Sequence, residues 1–176
     1  MRHWLLAFFI GCALVLGTAA AAYQSQFLVD PVFLTGDMLA PDHRSVPERV
    51  LDYLGELRKL WSNAAGAAAA AVVCGYLLWS FSLLFLRPNG PGQASRLGNK
   101  IVWSIFLVST AMLAFGASFY VLGMDQGLVD PEFRNNFSVV AAVCAVMAYW
   151  LATLFGTEPL MRPGVPLGHF LTRLSR

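Results

Sequence analysis

The residues best able to do chemistry are few in this chain: His3, His43 and His169, Cys12, Cys74 and Cys144, and an acidic group at Asp125, Asp130 and Glu132. A haem held between helices needs histidines facing one another inside hydrophobic runs, and all three lie at run edges or in connections. The cysteines sit on three separate apolar runs, with no CxxC pair and no neighbouring His, so neither a redox couple nor a zinc site follows. They read as small apolar packing residues. The acidic group, joined by Asp30 or Asp37, has the ligand type for a cation, but nothing fixes the spacing, and it reads as a solvated loop.

Other reactive patterns are also missing. Gly90 and Gly92 are not followed by the Lys-Ser/Thr of a phosphate loop. A serine nucleophile inside a hydrophobic run would need a His or Lys beside it, and none is there. The sequence therefore assigns no catalytic, cofactor or metal residue, and the expectation is a protein that is not an enzyme and carries no cofactor.

What the chain has instead is hydrophobic length. Of its 176 residues 57% are apolar and 12% charged, against roughly a quarter charged in ordinary soluble domains. A net charge of +2, with no run of Lys and Arg, argues against a nucleic-acid partner and leaves the lipid bilayer as the main one. An ionised side chain is costly at the bilayer centre, so gaps between ionisable residues mark spans. His3 to Asp30 leaves 26 uncharged residues, Lys59 to Arg87 leaves 27, Lys100 to Asp125 leaves 24 and Arg134 to Glu158 leaves 23. Each exceeds the roughly 20 residues that cross a hydrocarbon core.

The reading is an all-α, polytopic, single membrane domain: a four-helix transmembrane bundle with spans near 4–22, 62–86, 101–123 and 137–156. The runs are apolar on all sides, where barrel strands would alternate. The first span is ambiguous. MRH, an apolar core from Trp4 to Gly17 and then TAAAA also resemble a cleavable secretory signal.

Loop charges set the orientation. The inner loop 87–100 holds Arg87, Arg96 and Lys100 with no acid, and the inner tail 157–176 holds Arg162, Arg173 and Arg176 against Glu158. The outer loop 124–136 has Asp125, Asp130 and Glu132 against Arg134, and the outer segment 23–61 has six acids against four bases. Both termini are then cytoplasmic if the first span is retained. Compactness and this charge asymmetry point to a bacterial inner membrane.

Within the outer segment, Ser45-Val-Pro-Glu48 fits a capping box, which predicts an amphipathic helix over about 46–60 before the second span. Val46, Val50, Leu54, Leu57 and Trp61 recur at helical spacing on one face. That face is the candidate outer docking surface, for a partner or for the protein's own bundle. Small residues in the spans mark candidate helix-packing or partner contacts: Gly66 with Ala70, and the row Ala141, Ala145, Ala148 and Ala152. Trp4, Trp61, Trp103, Tyr120 and Trp150 lie near span ends, with Tyr76 and Trp79 deeper. LVDP occurs at 28–31 and 128–131, where Asp-Pro suits a turn or helix start.

With no Asp, Glu, Lys, Arg or His inside any run, a proton-coupled exporter or a membrane enzyme is disfavoured. The leading expectation is a non-catalytic subunit or scaffold of a larger inner-membrane complex of the secretion, respiratory or uptake type, with other membrane subunits or further copies as partners. A small transporter, or transporter membrane subunit, for a neutral or apolar solute is the alternative. A holin-like permeabiliser is the third.

Overall fold

The computed structural model describes residues 2–24, 38–44, 49–85, 93–124, 127–157 and 165–167. Its elements in order are α1 (Arg2–Gln24), the short α2 (Pro41–Arg44), α3 (Val50–Ser82), α4 (Gln93–Leu122) and α5 (Pro131–Gly156). Four of them, all but α2, are long and apolar enough to cross a membrane. Among the described residues the extended backbone is a single antiparallel bridge between Leu39 and Val129.

The 33-residue α3 is the axis of the fold. At 1.5 Å per residue it is about 50 Å long, well beyond a hydrocarbon core of about 30 Å. Its first turns, with Asp52, Glu56, Arg58 and Lys59, therefore extend past the apolar stretch. The expected outer helix and second span are one continuous helix, unbroken at Gly55 or at Ser62-Asn63. It begins at Val50 with Arg49 as N-cap and no side-chain cap bond, and Ser45–Glu48 lie outside the described residues. It unwinds through turns in which Leu83 N–H donates to Trp79 and Phe85 N–H to Ser82.

The start of α4 at Gln93 lies inside the segment expected as inner loop 87–100. Charge marks where a span must end, not where a helix must end. Arg96 and Lys100 belong to helical turns before the apolar stretch. α5 has the clearest local code. Asp130 accepts from the backbone N–H of Glu132 at 2.8 Å and of Phe133 at 3.3 Å, and Pro131 needs no donor partner in the first turn.

α3 and α5 touch each other, and both α1 and α4 pack against that pair. Close approach around α3 comes from alanine, with Ala64, Ala65, Ala68, Ala69 and Ala71 all buried. The largest fully buried side chains in the main core are Trp79, Tyr76 and Tyr149, with Val72 and Val165. Outward faces are strongly apolar: Phe9, Leu16, Phe81, Phe85, Met112 and Val140 are all exposed.

Candidate functional site

Three regions of the described residues stand out, two for their specific contacts and one for its openness. The first is a cap over the acidic end of the bundle. Leu39, Leu57, Leu128 and Val129 are buried together, with Met38, Tyr53, Leu54, Leu60 and Phe133 packed against them. Two backbone bonds stitch the stretch before α2 to the α4–α5 connection: Ala40 N–H to Leu128 O at 3.0 Å and Asp130 N–H to Met38 O at 3.1 Å. The second LVDP thus has a local use, its Leu and Val filling the cap while its Asp and Pro start α5. The first copy lies outside the described residues. Arg134 lays its guanidinium 4.2 Å from the Phe119 ring centre, beside the α4 C-terminus, where helix carbonyls favour a cation.

The candidate outer docking face is largely inside this cap. Leu57 is fully buried and Leu54 half-buried. Trp61 packs edge-on to Phe137 at 4.7 Å and tilted against Phe133 at 5.9 Å. Val50 opens α3, and Val46 lies outside the described residues. Leu54, Leu57 and Trp61 thus meet the protein's own α5 and the connections beside it.

The second region is the opposite end, where three indoles tie α3, α4, α5 and the tail. Trp79 Nε1–H donates to Thr157 Oγ1 at 3.0 Å, and Trp103 Nε1–H donates to Thr153 Oγ1 at 3.0 Å. The two hydroxyls pass the chain on, Thr153 donating to Trp150 O at 3.0 Å and Thr157 to Thr153 O. Trp150 Nε1–H reaches Pro166 O at 3.2 Å, at a tail turn where Val165 is buried. Trp103, expected as a boundary residue, is therefore a core residue, because its ring packs on Tyr149 and its N–H finds an acceptor inside the bundle.

Deeper, Tyr76 lies where α1, α3 and α5 converge. Its hydroxyl donates to Phe8 O at 3.1 Å, and its ring stacks on Phe8. Thr110 abuts Gly75 so closely that a Cβ there would overlap Thr110 Oγ1, and would lie 3.3 Å from Tyr149 Cδ2. Thr110 Oγ1 and the Tyr149 hydroxyl are buried without a hydrogen-bond partner. Sequence reading missed Tyr76, Gly11, Gly75 and Gly156 as contact points. The one available signal was a Tyr too deep in its run to serve as an interface anchor.

The third region is the outward face of α3. Gly66 and Ala70 are both exposed, and nothing lies within 4 Å of the point where a Gly66 Cβ would sit. The α5 row divides: Ala145 and Ala152 are buried, and Ala141 and Ala148 are half-buried against the core. One small-residue set is thus used inside the bundle and the other is left open. Cys74 and Cys144 are exposed and Cys12 half-buried, all as free thiols, so two of the three do not pack inside. An open groove of about 460 Å³ runs along α4, lined by Lys100, Ile101, Ser104, Ile105, Val108 and Ser109.

Among the described residues no group of three or more His, Cys, Asp or Glu side chains is placed to hold a metal ion. The arrangement supplies packing surfaces and hydrogen-bonded ties. Comparison with models of known families, with characterised proteins and with solved structures found no match to this chain.

Proposed function

We propose that the four long helices cross a bilayer and that the protein is a non-catalytic subunit or scaffold of a larger inner-membrane assembly. The exposed apolar side chains that surround the bundle would be a large aggregation liability in water and suit lipid. The acid-free inner loop and basic tail favour cytoplasmic termini.

One observation carries the partner reading: Gly66 and Ala70 form a close-approach pair on the open side of the most buried helix. Lipid solvates apolar side chains as well as a neighbouring helix does, so association in a bilayer depends on surfaces that let backbones come close. An outward Gly66/Ala70 face offers that surface to a helix of another subunit or a further copy.

The test is native mass in mild detergent for the C-terminally tagged chain and for a Gly66→Leu/Ala70→Leu variant. The expected result is a wild-type complex heavier than the 19.2 kDa chain, and a variant reduced to the lone chain with unchanged Tm. A wild type that is already a monomer would remove the proposal.

A further inference from the structure

We infer that α1 is a signal anchor that remains in the mature protein, seated in a groove between α3 and α5 that is shaped around it. The inference rests on the membrane reading above and chooses between the two meanings of the first apolar run.

The groove is built around the Tyr76 phenol. A Cβ on Gly11 would overlap the Tyr76 hydroxyl. A Cβ on Gly156 would lie 2.5 Å from the same oxygen and 2.9 Å from Gly11 Cα. Glycine is therefore required on both helices flanking the ring: α1 and α5 approach closely only because neither carries a side chain at that point. Ala7, Gly11 and Val15 are all buried, and their spacing of four places them on one face of α1. Apolar character alone would satisfy a leader that is to be discarded. It would not call for a small-residue stripe matched to a tyrosine sixty-five positions downstream.

The phenol also depends on α1. Tyr76 is 1% exposed and donates to the Phe8 carbonyl. Loss of α1 would remove that acceptor and open the polar tip of the ring to lipid, where polar groups are costly.

The candidate cleavage site points the same way. Thr18 to Ala22 lie within α1, which continues to Gln24, and Thr18 Oγ1 donates to Leu14 O at 2.8 Å. A peptidase takes its substrate extended. Here that segment is helical and its backbone N–H groups are engaged in helical bonds, so cleavage would first have to unwind it.

The experiment uses the full chain with a C-terminal tag and a specific protease site inserted in the 25–37 connection. Membrane fractionation comes first, and recovery in the soluble fraction would overturn the membrane reading whatever the mass and retention measurements give. Intact mass is then measured, with the full 19.2 kDa chain plus tag expected. A mature form beginning between residues 18 and 25 would overturn the inference. After cutting, α1 is expected to co-purify with the tagged remainder, and Gly11→Leu to lower its retention at least tenfold. Gly17→Leu, on the same helix with nothing within 4 Å, is expected to leave retention unchanged. Release of wild-type α1 on cutting, or equal retention by G11L and G17L, would sink the idea. Because wild-type mass and retention need no variant, a G11L chain that fails to accumulate leaves the test intact.

Discussion

Gly75→Ala is the sharpest probe of how closely the bundle is packed. The new Cβ would overlap Thr110 Oγ1, and would sit 3.3 Å from both Thr110 Cβ and Tyr149 Cδ2. Adding a methyl to a filled core costs about 1–3 kcal/mol. Replacing a helical glycine by alanine returns roughly 0.5–1 kcal/mol. The net expectation is a loss of about 1–2 kcal/mol. Thr110→Ala alone should be near neutral, since it gives up about 0.8 kcal/mol of methyl burial but removes a hydroxyl that is buried with no partner. The two changes should therefore couple. In the Gly75→Ala/Thr110→Ala chain the overlap is gone, and about 1 kcal/mol or more of the single-mutant loss should return. Reversible SDS-titrated unfolding of the detergent-folded protein measures all four corners of the cycle. A Gly75→Ala chain as stable as wild type, or strictly additive mutations, would refute the close approach of α3 to α4 at this level.

Three further outcomes are expected. Leu57→Ala empties a fully buried site in the cap over α3 and should cost about 2–5 kcal/mol. It should also speed hydrogen exchange at the Ala40 and Asp130 amides that bridge the cap. Thr153→Val leaves the Trp103 indole N–H without its acceptor and should cost about 1 kcal/mol, an effect absent in a Trp103→Phe background. Leu167→Gly relieves a left-handed residue at φ 65° whose side chain is half exposed, and should stabilise the tail turn by about 1 kcal/mol, read as slower proteolysis there.

How much of this was legible in the sequence varies with the range of the interaction. The four long helices were, because charge exclusion from an apolar interior acts residue by residue. The start of α5 was also local: Asp130 and Pro131 cap the helix with groups one to three residues away. The start of α4 was not, since Arg96 and Lys100 bound the apolar stretch without bounding the helix. Pairings across the bundle left no trace in spacing, and Trp79 meets Thr157 from 78 positions away. Most telling, Gly66/Ala70 and Ala145/Ala152 come from the same kind of small-residue spacing, yet the first pair faces out and the second is buried. A small-residue repeat states that a helix can be approached closely. Which neighbour approaches it depends on how the other helices are placed.

The most direct test of the subunit reading is cross-linking in native membranes, followed by extraction in mild detergent, capture on a C-terminal tag and mass spectrometry of the proteins that co-purify. The expected result is a stoichiometric set of membrane partners, or further copies of this chain, with cross-links placed along the Gly66/Ala70 face of α3. A lone chain that cross-links to nothing would contradict the subunit reading and shift the weight to solute transport or membrane permeabilisation.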